Sequence, residues 1–363
     1  MVELKSRTFK DIDWPLLFAP IALTLFGCIG IFSTAPDLLK KQLISLLLGL
    51  AIAVALMLYD YRKIVLNVAP FLYGATILLL ILVLTPLGVE VNGNKAWLRV
   101  PGISTFQPSE FAKIATILML TRYMAQAHVT KLSLKDMAIM SGIALPPIIL
   151  IHLENDTGTM LTFGAILGAF FFLGGMRKSL VIAGLVAVAI GLVAIYPHLR
   201  GYQRERIDAI LKPESVDPRG YGYQTIQSVI AVGSGGLTGK GIAEGTQGRL
   251  GFLPFAYSDF IGAVIAEEIG FVGVLLMLVL YLILLWRLVA VAQSARSRPG
   301  ALMVMGIVAL LTFHIMCNLG MVVGLMPIMG IPLPLMSYGG TAVMATFAGV
   351  GLALSVRLRR FVN

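Results

Sequence analysis

The chain has 363 residues, 58% of them hydrophobic and 13% charged, with a net charge of +10. So apolar a composition excludes a soluble globular domain and fits a polytopic helical membrane protein. Backbone in lipid must satisfy its own hydrogen bonds, and long apolar runs without two-residue alternation exclude a closed barrel.

The expected fold is all-α, a single transmembrane domain over 1–363 with about ten helices. In chain order the spans fall at about 14–34, 39–58, 64–85, 108–125, 137–153, 158–175, 179–196, 259–290, 301–325 and 340–356. The first is expected to serve as a signal anchor rather than as a cleavable leader. The eighth exceeds one crossing, so its first turns line a cavity or the helix tilts. A large extracytoplasmic loop, about 197–258, separates the seventh and eighth.

Basic residues set the orientation. Lys5, Arg7, Lys10, Arg62, Lys63, Arg122, Lys131, Lys135, Arg177, Lys178, Arg287, Arg296, Arg298, Arg357, Arg359 and Arg360 fall on one side. The short loops opposite carry only Lys40, Lys41, Lys95 and Arg99. Both termini are therefore cytoplasmic. The positive charge belongs to the inner face, where it suits anionic lipid, and it gives no reason to expect nucleic acid. Cys28 and Cys317 lie inside apolar helices and are expected to be core thiols.

Three outer segments interrupt the apolar pattern. Residues 86–108 place Gly, Asn and Pro turns around Trp97. The long loop starts polar, around Arg200 to Asp217, and turns glycine-rich in IAVGSGGLTGKG (230–241), where backbone amides could approach an anion. MPIMGIPLPLMSYGGT (326–341) has almost no polar side chains, so it dips into the membrane or packs against the bundle.

A charge at membrane depth is costly and usually functional. Trp97, Glu110, Lys113, Asp156, Asp259, Glu267 and Glu268 sit at the outer ends of apolar helices. Lys113, three residues after Glu110, can pair with it on one helix face. Asp259 has two readings, a helix N-cap or a catalytic base. Either glutamate of the Glu267-Glu268 pair could instead fix helix packing.

Other short patterns carry less. SGGLTGKG (234–241) lacks the first glycine and final hydroxyl of a phosphate-binding loop. Asp11-Ile12-Asp13 reads as a solvated tail before the first span. Asn155-Asp156-Thr157 is a sequon too close to the membrane edge to be an acceptor. His128, His152, His198 and His314 show no metal-ligand spacing, and His314 reads as a satisfied core residue.

Six blocks in order carry a family resemblance. They are Asp13-Trp14, Asn92 to Lys113 ending in FQPSEFAK, NDTGT (155–159), Tyr223 to Gln247, Phe252 to Gly273, and Asn318 to Gly340. The chain resembles the SEDS proteins (shape, elongation, division and sporulation) over about 13–357, and its wording leans toward the elongation branch. It departs in three places. Phe255 replaces a glutamate after FLP, Ser258-Asp259-Phe260 replaces Thr-Asp-Phe, and ENDTGT (154–159) replaces QPDLGT. The resemblance implies a multi-pass protein of the bacterial cytoplasmic (inner) membrane. It implies an inverting peptidoglycan glycosyltransferase that polymerises lipid II on the extracytoplasmic side. Its partners would be a class B penicillin-binding protein and other elongation-complex membrane proteins.

On that basis Asp259 is the expected catalytic base. Trp97, Glu110, Lys113, Asp156, Lys240, Glu267 and Glu268 are candidate substrate-binding residues. A divalent cation, Mg or Mn, on carboxylates such as Asp259 or Glu110 could serve the diphosphate leaving group, although no ligand set is visible. Two other readings use the same residues. A lipid flippase or transporter would carry polar groups into the inner half of the bundle. A non-catalytic scaffold for a transpeptidase would not need Asp259.

Overall fold

A computed structural model describes residues 12–91, 94–99, 105–127, 131–198, 204, 208 and 222–360. Lys5, Arg7, Lys10, Asp11, Asn92, His128 and most of the polar stretch from Arg200 to Asp217 lie outside the described residues.

A helix occupies each of the ten predicted segments. These are α1 (Trp14–Thr34), α2 (Pro36–Leu58), α3 (Tyr61–Leu84), α4 (Pro108–Gln126), α5 (Leu134–Leu153), α6 (Thr157–Leu173), α7 (Lys178–Ile195), α9 (Ile261–Gln293), α10 (Arg298–Val322) and α11 (Gly340–Leu358). An eleventh, α8 (Gly222–Ser234), lies in the long loop. Seven of these, α1, α2, α3, α5, α9, α10 and α11, are long and apolar enough to cross a membrane. By contrast α4 carries Glu110, Lys113 and Arg122, and is buried by its neighbours instead.

Proline or a capping side chain opens most helices. Asp13 accepts from Leu16 N at the start of α1, with Pro15 in the first turn. Ser133 and Asp136 form a capping box on α5, and Asp156 caps α6. Outward-facing Phe71, Leu282 and Trp286 leave large apolar surfaces of the kind that lipid or a membrane partner covers. Between α2 and α11 the backbones approach closely at glycine. A side chain at Gly351 would overlap the Ala53 carbonyl, and one at Gly49 would strike the Phe347 ring. Cys28 and Cys317 are buried free thiols.

Three features refine the sequence picture. Residues 86–108 hold a small antiparallel sheet: β1 (Gly88–Val91), β2 (Asn94–Arg99) and β3 (Thr105–Phe106), in that order. Trp97 stands opposite Val89 in it. The long helix α9 is not continuous, because Gly270 breaks it with φ 73° and ψ −162°. The freed amides of Phe271 and Val272 bond the carbonyls of Gly236 and Leu237. Finally, residues 326–339 run as an irregular strap through the bundle. Leu333, Leu335 and Met336 are fully or almost fully buried, and the Met336 backbone lies directly against Gly27 of α1. A loop so poor in polar side chains can be buried only when other side chains bond its backbone. Gln42 Nε2 does so for Ser337 O (3.1 Å), and Asn318 Nδ2 for Ile331 O (2.8 Å).

The charged ends segregate as the sequence predicts. At one end Arg287 bonds Asp13, Arg359 faces Asp60 (3.6 Å), and Tyr61 OH bonds Ser297 Oγ (2.8 Å). Asp13 does not lie in a solvated tail. It is buried, capping α1 while pairing with Arg287 and, at 3.6 Å, with Arg357. A carboxylate that both caps a helix and neutralises two guanidinium groups is held in by those partners.

Candidate active site

The opposite end brings four of the eight predicted site residues, Asp259, Glu110, Lys113 and Asp156, around the strap. Asp259 comes first. It does not cap α9; the N-cap residue is Phe260, and no side chain performs the capping bond. The carboxylate is half-buried and faces Gly330, whose left-handed backbone (φ 67°) suits glycine. A methyl group built on Gly330 would sit 3.9 Å from Asp259 Oδ2.

The turn carrying Asp259 is strapped down on both sides. Asn318 Nδ2 donates to Asp259 O and to Ile331 O, each at 2.8 Å. Ser337 Oγ donates to Ser258 O (2.6 Å), and Tyr338 N to Tyr257 O (2.9 Å). The Tyr257 and Tyr338 rings meet edge to face. Burial first, then the Asp259 carboxylate, pushes Tyr257 above the usual phenol range.

A second cluster lies on α4, α6 and α10. Lys113 Nζ bonds Glu110 Oε1 at 2.7 Å, and both residues are buried. His314 Nε2 lies 3.4 Å from Lys113 Nζ and 3.3 Å from Thr162 Oγ1. A pocket opens here, lined by Glu110, Lys113, His314, Pro332, Pro334 and Thr346. Asp156 borders the cluster. It accepts from Thr159 N (3.0 Å), Thr159 Oγ1 (2.8 Å) and Gln107 Nε2 (3.3 Å). Burial raises its carboxyl, and the Thr159 hydrogen bonds oppose that rise.

The strap joins the two clusters residue by residue. Met329 O abuts Gly158, Gly330 faces Asp259, Ile331 O bonds Asn318, and Pro332 O accepts from His314. Four consecutive residues span about 10 Å at most. Asp259 and the His314 side of the second cluster therefore touch the same short stretch of strap, with Pro332 also lining the pocket beside Glu110 and Lys113.

The remaining candidates lie elsewhere. Glu267 accepts from Lys240 Nζ (2.7 Å), Thr246 N (2.8 Å) and Gln247 N (3.1 Å), and so pins the glycine-rich segment onto α9. Glu268 is bonded by Ser33 Oγ of α1. The expected amide cradle at 239–241 is filled from within the chain. The amides of Gly239, Lys240 and Gly241 donate to the carbonyls of Gly235, Glu267 and Glu268. The segment before it is helix α8 rather than a strand, which removes the context of a phosphate-binding loop. Trp97 is half-buried in β2, whose Lys95 N bonds Glu154 O beside the Asp156 turn. Among the described residues no group of three or more His, Cys, Asp and Glu comes together to hold a metal ion.

Sequence reasoning missed three participants: Gln107, His314 and Asn318. A signal existed for two of them. His314 and Asn318 are four residues apart, hence on one face of α10, just before the proline-rich strap.

These features define a class: a multi-helix membrane protein with a carboxylate–lysine site at one end of the bundle, walled by a buried strap. The model of the FtsW, RodA and SpoVE cell cycle proteins matches residues 18–360. The peptidoglycan glycosyltransferase MrdB of Escherichia coli K12 is 38% identical, over 98% of this chain and 96% of its own. A probable peptidoglycan glycosyltransferase FtsW of Geobacter metallireducens is 34% identical, over 98% and 97%. Among solved structures, a peptidoglycan synthase complex that coordinates polymerization and crosslinking contains a chain with TM-score 0.82 and 38% identity, covering 97% of this chain and 99% of that one. The rod shape determining protein RodA of Thermus thermophilus gives TM-score 0.72 and 32% identity, over 97% and 98%. The chain belongs to the SEDS family of FtsW, RodA and SpoVE proteins.

Proposed function

We propose that this protein is a peptidoglycan glycosyltransferase, polymerising lipid II into glycan strands during cell-wall elongation. The observation that carries the mechanism is that strap residues 329–332 approach Asp259 at Gly330 and line the Glu110–Lys113 pocket at Pro332, at one end of the bundle. We place that end on the extracytoplasmic side, with both termini cytoplasmic and the ten predicted spans, seven of them long apolar helices, forming one domain in the bacterial inner membrane. Relatives named as peptidoglycan glycosyltransferases, and a structural neighbour from a synthase complex, support the reaction and a transpeptidase partner of the class B penicillin-binding type.

In the reaction a sugar 4-hydroxyl attacks the anomeric carbon of a second lipid-linked sugar. The new O–C bond forms as the bond to diphosphate breaks, inverting α to β. Asp259 takes the hydroxyl proton, because a neutral alcohol is a poor nucleophile. Lys113 faces the charge that develops on the departing polyprenyl diphosphate, and buried Glu110 fixes its ammonium. Asp156 and Gln107 hold the neighbouring wall. Lys240, Glu267 and Glu268 act at a distance from these groups by holding the 240–247 loop on α9, and Trp97 belongs to the sheet whose Lys95 bonds Glu154. A divalent ion, Mg or Mn, would have carboxylates such as Asp259 or Glu110 to hold it, and it would supply further positive charge for the diphosphate leaving group.

The test is polymerisation of labelled lipid II by the purified protein with its transpeptidase partner, with and without EDTA. Wild type should make polymer, and a folded Asp259→Asn protein should make at least a hundredfold less, within the usual loss for a general base of about 10²–10⁴. Equal polymer from both would remove Asp259 from the chemistry.

A further inference from the structure

His314 has one straightforward role, that of a core histidine with satisfied hydrogen bonds. Its partners define a more specific one. The ring is buried on α10, eight residues before that helix ends. One ring nitrogen donates to the backbone carbonyl of Pro332 in the strap. The other, Nε2, lies within hydrogen-bond distance of Lys113 Nζ (3.4 Å) and Thr162 Oγ1 (3.3 Å).

These partners assign the tautomer. A carbonyl can only accept, so Nδ1 carries the proton. An ammonium can only donate, so Nε2 presents its lone pair to Lys113. The ring is neutral, because a proton on Nε2 would point at a cation. Lys113 thus has two of its three N–H groups directed, one to Glu110 Oε1 at 2.7 Å and one to the imidazole. The third has no other protein partner among the described residues, and beside it lies a pocket of about 20 Å³, lined by Glu110, Lys113, His314, Pro332 and Pro334, with room for a single oxygen-sized group. Two fixed acceptors orient a flexible four-carbon side chain better than one.

We propose that His314 is a positioning residue that aims the Lys113 ammonium into the pocket and ties that aim to the placement of the strap at Pro332. The strap holds Gly330 against Asp259 two residues earlier, so one imidazole sets the spacing between the base and the cation. This rests on the transferase role given to Lys113 above. No motif marks this residue; its contacts do.

The test compares His314→Gln and His314→Phe, with polymerisation measured against lipid II concentration in the complex with the partner. Gln keeps one acceptor and one donor, whereas Phe keeps only bulk. Phe should lower kcat at least tenfold with KM within about twofold, since a small misplacement of a group acting on the transition state costs rate. Gln should recover most of kcat. In a Lys113→Met background, His314→Phe should change the residual rate by less than twofold. Three outcomes would overturn the proposal: a folded Phe variant with native kcat, a Gln variant as impaired as Phe, or losses that multiply in the Lys113→Met background. Should Phe not fold, His314→Leu serves the same comparison. Absence of polymer from wild type itself would count against the transferase reading, independently of His314.

Discussion

Glu154 offers a sharp test of the electrostatics around the site. It follows α5, is fully buried, and neither carboxyl oxygen has a hydrogen-bond partner. Burial first, then the Asp156 carboxylate, raises its pKa from 4.5 to about 8. The protonated acid thus stands in for the glutamine of the family pattern. Below pH 4.5 folded and unfolded chains both hold this proton, and the site costs nothing. Between pH 4.5 and 8 the unfolded chain releases it while the folded chain keeps it. Stability then falls by about 1.4 kcal/mol per pH unit, to a loss of about 3 kcal/mol at pH 7 and about 4 kcal/mol at pH 8. Glu154→Gln removes the titration and keeps the shape. Thermal unfolding in detergent should show a small gain in Tm for the variant at pH 5, widening to several degrees at pH 8. A gain that is the same at both pH values would refute the assignment of a buried, proton-holding carboxyl.

Two further substitutions probe the strap and the opposite end of the bundle. Gly330→Ala forces a side chain into a left-handed backbone and places a methyl 3.9 Å from Asp259 Oδ2. Stability should fall by about 1–2 kcal/mol, and polymerisation more than stability predicts; native activity would mean that nothing critical approaches that carboxylate. Asp13→Asn can still cap α1 but no longer neutralises Arg287 and Arg357. A loss of about 2 kcal/mol in thermal or denaturant unfolding is expected, below the usual cost of about 3–5 kcal/mol for breaking a fully buried pair because both arginines are partly exposed. An unchanged Tm would show that the cluster is ornamental.

Much of this was legible in the chain. Helices stand where the apolar runs do, because an 18-residue stretch without water can satisfy its backbone in few other ways. The Glu110–Lys113 pair follows from spacing of three on a helix. Other features had no local signature. Gly270 looks like any glycine until φ reveals the break in α9. Asp259 stands one residue too early to cap that helix. Lys240 reads as an anion ligand until Glu267, 27 residues away, is seen holding it.

The sequence by itself determined that the protein lives in a membrane, how its helices are strung, which end collects ionisable groups, and which family it joins. Hydropathy, charge bias and short motifs are properties of neighbouring residues. Only the tertiary structure decided which of those groups face one site. That depends on residues 329–332 crossing the bundle and touching Gly158, Asp259, Asn318 and His314 in turn. Contacts such as Met329 on Gly158, 171 residues apart, and Gly330 on Asp259, 71 apart, are set by packing and by buried backbone finding partners, which no local pattern records.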